Sequence, residues 1–232
     1  MKKIGIIGAM ELEVETLKAQ MQMKQIVKKA SMEFHEGTLN RQEVVIVRSG
    51  VGKVNAAMCV QILADLFHVT HIINTGVAGS LDASIDIGDI VVSTDALHHD
   101  MDATIFGYQP GEVPQLGRLE FPADPALMDL AKTSCQEANP DIHVFTGRVV
   151  SGDQFISNAA VKEKLISLFS ASCTEMEGAS IAHAATLNGI PFVIIRAISD
   201  KADHSAEVDY PVFEQKAAQD CAKLVAHMMK KI

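Results

Sequence analysis

The chain has 232 residues, 48% hydrophobic and 21% charged, which suits one globular α/β domain over residues 1–232 with a sizeable buried core. Its formal charge of −9 argues against a nucleic-acid backbone or an anionic membrane as partner, and no apolar run approaches the ~20 residues of a membrane helix. Met1-Lys2-Lys3 meets Glu11 and Glu13 too soon for a secretory signal, and Cys59, Cys135, Cys173 and Cys221 lack C-x-x-C spacing, so the expectation is a cytoplasmic protein with reduced thiols and neither zinc site nor disulfide frame.

Strand-like and helix-like segments alternate from end to end. Ile4 to Ala9 reads as a short apolar strand, and Glu11 to Met21 as an amphipathic helix. Met32 to Leu39 and Val44 to Ser49 flank Asn40-Arg41 as a hairpin. Lys53 to Phe67 carries Val54, Met58, Ile62 and Leu66 on one helical stripe. His71 to Thr75 and Asp89 to Ser93 read as strands. His99 to Phe121 holds Pro110, Gly111, Pro114 and Gly117 and reads as a long ordered loop, a class that is often functional. Then come a helix at Ala126 to Ala138, a strand at Val144 to Ser151, and a helix at Ala159 to Phe169. Glu175 to Leu187 is a helix that Asn188-Gly189 stops, with Gly189 just past its end. Pro191 to Asp200 is an Ile- and Val-rich buried strand, and Val212 to Met229 is the closing helix. The alternation predicts a three-layer α-β-α architecture with helices on both faces of a central twisted sheet. The hairpin makes that sheet mixed.

Three carboxylates lie where apolar segments break off: Glu13, Glu177 and Asp200. In open α/β sheets, ligands bind beyond the carboxyl ends of the strands. Acids gathered there suit acid/base chemistry on a neutral or cationic substrate. Each also has a plainer explanation. Glu13 and Glu177 could be first-turn helix acids favoured by the dipole, and Asp200 could pair with Lys201 or cap a turn. Arg196, inside an apolar strand, needs a partner, most simply a carboxylate.

Ser49-Gly50-Val51-Gly52-Lys53-Val54-Asn55 leads from a strand into a helix, as either a tight turn or a close approach to ligand. Asn55 stands where a dinucleotide fingerprint would have its third glycine, and no Ser or Thr follows Gly52-Lys53 as a P-loop requires. Asn74-Thr75-Gly76-Val77-Ala78-Gly79-Ser80 is a second strand-to-glycine transition. His98-His99-Asp100-Met101-Asp102 has metal-binding residue types but no further cluster at ligand spacing, so a polar strand end or an interface loop fits better. The absence of G-x-S-x-G argues against a serine hydrolase.

Taken in order, the strings IGIIGAMELEV, SGVGKVNAA, INTGVAG, HHDMDATIFGY, SGDQFI, EMEGASIA and PFVIIRAISD resemble the 5′-methylthioadenosine/S-adenosylhomocysteine nucleosidase family of the purine nucleoside phosphorylase-like superfamily. The resemblance runs from Ile4 to the final helix. It implies hydrolysis of the N-glycosidic bond of methylthioadenosine and adenosylhomocysteine, and of 5′-deoxyadenosine, in methionine salvage and methyl-cycle recycling. By the same resemblance Glu13 activates water, Asp200 protonates purine N7, and Glu177 grips the ribose hydroxyls with Met176 packed beside it. Phe155 and Ile156 match the base-stacking and base-reading positions. Met10, Val51, Arg196 and Ser199 fall at or near the site, and Tyr210 on a flap over the 5′ substituent. Phe106 and Pro114 match the loop by which a second subunit closes that pocket, which implies a homodimer. No cofactor or metal is implied. Many family members carry Ser where this chain has Val77, a departure that touches water positioning. The competing expectations are an aminofutalosine-preferring nucleosidase, a phosphate-dependent phosphorylase, and a non-catalytic nucleoside-binding domain. Asn74 and Val77 in place of phosphate donors argue against the phosphorylase. Cleavage leaves positive charge on ribose and negative charge on the purine. A buried Asp200 with a raised pKa beside an ionised Glu13 would serve both.

Overall fold

The computed structural model describes residues 2–232, with the elements β1 (Lys3–Gly8), α1 (Glu11–Gln20), β2 (Gln22–Lys29), β3 (Met32–Leu39), β4 (Gln42–Arg48), α2 (Lys53–Phe67), β5 (His71–Ser80), β6 (Ile90–His98), β7 (Phe121–Pro122), α3 (Pro125–Ala138), β8 (Val144–Ser151), α4 (Ala159–Phe169), β9 (Cys173–Glu175), α5 (Gly178–Leu187), β10 (Phe192–Asp200) and α6 (Ala206–Met228). All ten strands join one mixed sheet. β5 lies parallel to both β1 and β10. The pairings β5–β10, β10–β6, β6–β8, β8–β9 and β9–β5 close a ring, while β1, β4, β3 and β2 extend from β5 as an open wing.

Period-two alternation sorts the strand side chains into two cores. Ile4, Ile6, Val44, Ile46, Ile73 and Ile195 face a layer that contains α1, α3 and α6. Ile7, Val45, Val47, Ile72 and Ile194 face α2 and α5. Both faces of β1, β4, β5 and β10 are therefore dry, which is why these strands read as continuous apolar runs. The expected three-layer arrangement is present, with closure of half the sheet as an added feature.

The expected α2, β3, β8 and α4 match from end to end. The turn between β3 and β4 has Asn40 at φ 50° and Arg41 at φ 73°, the two-residue left-handed geometry that suits the twist of a hairpin. Gly189 adopts φ 66° just past α5.

Several segments differ from expectation, β6 among them, which runs past Ser93 to His98. β2 was not anticipated, because its sequence QMKQIVKK lies exposed on the sheet edge and shows no buried alternation. β5 does not break into a loop at Gly76 but continues to Ser80, paired with β10 along its length. α5 begins at Gly178, because Glu175 ends the short strand β9. α6 begins at Ala206, ahead of Pro211, which lies within the helix although proline usually marks a boundary. The 99–121 segment holds a 3-10 turn at Thr104–Phe106 and ends in β7, which pairs with β6.

Candidate active site

The carboxyl ends of β1, β5, β9 and β10 converge on a cleft of about 480 Å³. Glu13 reaches it from the first turn of α1. Its Oε2 accepts from the amides of Ala9 at 2.6 Å and Met10 at 2.9 Å, and its Oε1 from the amide of Val77 at 3.1 Å. The Met10 contact is the helix-capping one, so the first-turn reading holds as far as position goes. Yet the side chain is buried and lines the cleft, its carboxylate held by two amides just past β1 and one within β5.

The glycines of the INTGVAG string serve close approach rather than a turn. A Cβ on Gly76 would stand 2.9 Å from Glu13 Cδ and 3.0 Å from Arg196 Nη1. One on Gly79 would stand 2.7 Å from Asp200 Oδ1. The expected loop is thus corrected to a strand whose missing side chains make room for two acids and a guanidinium. Val77 contributes its amide, which the Ser-to-Val departure does not remove.

Asp200 ends β10. Its Oδ1 accepts from the Ala202 amide at 2.8 Å and its Oδ2 from the Ser199 hydroxyl at 2.9 Å. It is not the partner of Lys201, which instead reaches Asp86 at 2.8 Å. Glu177 precedes α5, and its Oε1 accepts from the Gly52 amide at 2.8 Å. Gly52 holds φ 97°, a conformation that favours glycine, so the SGVGK string is both a tight turn and a support for the acid.

Arg196 does not line the cleft. It is buried behind it, with Nη2 donating to Asn74 Oδ1 at 2.6 Å and to Glu175 Oε2. A carboxylate partner was expected for it, but Glu175 was not among the anticipated site residues. Glu175 also accepts from Ser151 Oγ and from the amides of Glu177 and Gly178, which cap the start of α5. The nearest sequence sign of this role was the second acid in Glu175-Met176-Glu177.

Met10, Val51, Val77, Phe155, Met176, Ser199 and Tyr210 also line the cleft, and Ile156 lines a narrower extension beside Phe155, Met176 and Asp200. The rings of Phe155 and Tyr210 meet edge to face at 5.6 Å, and the Tyr210 hydroxyl donates to Met10 Sδ at 3.3 Å. Tyr210 sits in the first turns of α6, so its cover over the cleft is helical rather than a free flap. Phe106 and Pro114 are not brought to this cleft, and Phe106 is 79% exposed.

The acids share burial but differ in partners. Burial pushes Glu13 above the usual carboxylate range, opposed by Arg196 and the three amides. Burial also raises Asp200, with the Ala202 amide and the Ser199 hydroxyl opposing. Glu177 rises to about 8 through burial and then the neighbouring Glu175 charge. Burial would raise Glu175 as well, but Arg196, Ser151 and the helix amides hold it below its ordinary value. The arrangement therefore keeps one structural carboxylate ionised and leaves three others raised above their ordinary range, Glu177 to about 8.

A family model for the phosphorylase superfamily matches residues 3–230. A curated relative from Halalkalibacterium halodurans, a 5′-methylthioadenosine/S-adenosylhomocysteine nucleosidase, is 44% identical over 97% of this chain and 96% of its own. The solved structure of the nucleosidase of that name from Neisseria meningitidis, in complex with methylthio-immucillin-A, superposes with a TM-score of 0.96 at 37% identity, covering 100% of both chains. A futalosine hydrolase from Helicobacter pylori superposes at 0.94 with 32% identity, covering 100% of this chain and 98% of that one.

Two outcomes follow from the charge arrangement. Replacing Arg196 by Met leaves Glu175 buried without its cation and is expected to cost about 3–5 kcal/mol in urea unfolding. Adding Glu175→Gln to that variant should recover part of the loss. The second outcome concerns pH. The folded chain keeps a proton on Glu177 between the ordinary 4.5 and about 8, where the unfolded chain has lost it. That stabilising contribution is complete below the ordinary value and is lost as pH rises through the folded one. Glu175 has the opposite sign, but its loss falls at acid pH, below its ordinary 4.5. Buried histidines such as His98, lowered to about 4, add stability as pH rises toward their ordinary 6.5, so the fall due to Glu177 is read above that value. The melting temperature of the protein alone should fall between about pH 6.5 and pH 8, and Glu177→Gln should flatten that slope. An unchanged slope in that variant would remove Glu177 as its source.

Proposed function

The chain belongs to the phosphorylase superfamily and, within it, to the family of 5′-methylthioadenosine/S-adenosylhomocysteine nucleosidases, and from that membership we propose the following reaction and assignment of residues. The enzyme is an N-glycosyl hydrolase. It cleaves 5′-methylthioadenosine and S-adenosylhomocysteine to adenine and the 5-substituted ribose. The same chemistry extends to 5′-deoxyadenosine and places the enzyme in methionine salvage and methyl-cycle recycling.

The observation that carries the hydrolytic reading is the carboxylate of Glu13 on the amides of Ala9, Met10 and Val77. Such converging amides are where an oxyanion would otherwise sit. A phosphate would meet an acid there, and Arg196 is already engaged with Asn74 and Glu175. Water is the nucleophile that this corner admits.

In the proposed mechanism, Glu13 takes the proton from water as it attacks C1′. Burial makes it a stronger base than a free carboxylate, while the amides favour its ionised form. Asp200 enters protonated, and its raised pKa lets it donate to purine N7 as the N9–C1′ bond breaks. Ser199 and the Ala202 amide orient it. Glu177 accepts from the ribose hydroxyls, and those donors together with the developing sugar cation favour its charged form. Phe155 and Tyr210 supply the aromatic wall, Ile156 lies beside the base, and Met10, Met176 and Val51 give apolar surface to ribose and the 5′ thioether.

We further propose a homodimer in the cytoplasm. Val54, Met58, Ile105, Phe106 and Leu187 are large apolar side chains left exposed, more than a lone chain needs on its surface. Phe106 and Pro114 would then close the 5′ pocket of the second copy. All four cysteines are free and buried, which suits a reducing compartment.

Glu13→Gln and Asp200→Asn should each fold with a near-native melting temperature and lose roughly 10²–10⁴-fold in kcat. Product analysis should give free 5-methylthioribose at the same rate with or without phosphate. Near-normal turnover in either variant would reject the role assigned to that acid, and a sugar 1-phosphate product would reject hydrolysis. The futalosine hydrolase at 32% identity keeps a second reading open, and relative kcat/KM for aminofutalosine and methylthioadenosine decides between them. For the dimer, Phe106→Asp should weaken self-association in sedimentation and raise KM for methylthioadenosine. A wild-type chain that is monomeric at micromolar concentration and fully active would refute the shared pocket.

A further inference from the structure

A second groove, of about 790 Å³, opens beside the reaction cleft and shares Ala9, Met10 and Val51 with it. The reaction residues leave it unused. Its floor is the end of β4, and its sides are the start of α1 and the turn between β2 and β3. Unlike the cleft, it carries opposite charges. Arg48 and Glu11 face one another with Nε to Oε2 at 3.8 Å, a separation beyond hydrogen-bond distance, and both side chains are about half exposed. Ser31 adds a hydroxyl. Asn55 uses its Nδ2 on the Val51 carbonyl at 2.7 Å, which leaves its Oδ1 as an acceptor.

We propose that this groove is a subsite for an α-amino-acid zwitterion, with the carboxylate on the Arg48 guanidinium and the ammonium on Glu11. The inference rests on the nucleosidase reading and names how that site tells its two thioether substrates apart. The base end of the cleft lies at Asp200, Phe155 and Ile156, and the ribose acid Glu177 lies between that end and Val51. The 5′ substituent therefore leaves along Met10 and Val51, the residues that border the groove. In S-adenosylhomocysteine the third carbon beyond the sulfur bears one ammonium and one carboxylate. A planar guanidinium with free N–H donors suits the carboxylate, and a neighbouring acid suits the ammonium. With Lys18 also on Glu11 the cluster carries one net positive charge, which favours the carboxylate end of the tail on Arg48, the cation that Glu11 holds only loosely. Methylthioadenosine ends in a methyl group at the sulfur and does not reach either charge. Glu11 also accepts from Lys18 Nζ, at 2.8 Å on Oε1 and 3.0 Å on Oε2, so the ammonium of the tail would join Lys18 on that carboxylate.

The test uses Arg48→Ala and Glu11→Gln in the full chain, with methylthioadenosine as internal reference. The ratio of kcat/KM for adenosylhomocysteine over methylthioadenosine should fall about five- to twentyfold in each variant, through KM rather than kcat, as expected for a partly solvated charge-assisted contact. Raising the salt concentration should lower the wild-type ratio and leave the Arg48→Ala ratio flat. A ratio that stays within about twofold of wild type in both variants overturns the subsite and leaves the nucleosidase reading standing. So does an equal loss on both substrates, which would mark a structural defect. A wild-type chain that turns over neither substrate overturns both.

Discussion

The site depends on one buried cation. Arg196 stands in β10 among carboxylates that no other buried guanidinium or ammonium accompanies among the described residues. Desolvated acids repel one another and resist ionisation, so a cluster of them inside a fold needs a fixed positive charge or must hold protons. Arg196 meets that need through Glu175 directly and through longer-range attraction to Glu13 and Glu177. The surrounding geometry accommodates it. Asn74 steadies the guanidinium and anchors to the Ile7 carbonyl at 3.0 Å, tying β10, β5 and β1 together. Gly76 leaves the space in which Arg196 and Glu13 come close.

From that arrangement the four acids separate by what else touches them. Glu175 has the cation, a hydroxyl and helix-start amides, and it becomes structure. Glu13 has three amides but a more distant cation, and burial leaves it above its ordinary range. Asp200 has one amide and one hydroxyl and no cation in contact, which suits an acid. Glu177 has a single amide and a like charge next to it, so it responds most to what enters the cleft. Similar burial with graded partners is how carboxylates acquire different roles in one pocket.

The strands that are dry on both faces and the helices with a clear stripe were legible in the sequence, because burial imposes a pattern over many residues. β2 was not, since an exposed edge strand carries no such pattern. β9 was not, since three residues hold no period. At the site, Glu13, Glu177 and Asp200 could be found because each ends an apolar run, and the family strings then supplied their roles. Glu175 escaped because its importance comes from Ser151 and Arg196, which lie 24 and 21 residues away on other strands. The glycines of β5 misled for a related reason. A glycine read locally signals a turn, whereas here its missing side chain is demanded by acids arriving from α1 and β10.

The superfamily takes its name from phosphorolysis, yet the fold does not decide which nucleophile is used. A sheet whose strands end together offers several amide donors at one corner. Left free, these donors would hold an anion. In this chain Glu13, brought in by the first turn of α1, occupies the Ala9, Met10 and Val77 amides itself. A side chain that caps its own helix thereby puts a carboxylate on those donors, where it would repel an incoming anion. The Ser-to-Val departure at residue 77 leaves this unchanged, because the donor is the backbone. That carboxylate's hydrogen-bond partners are set in turn by the short connection from β1 into α1, which delivers two of the three amides and the acid within five residues.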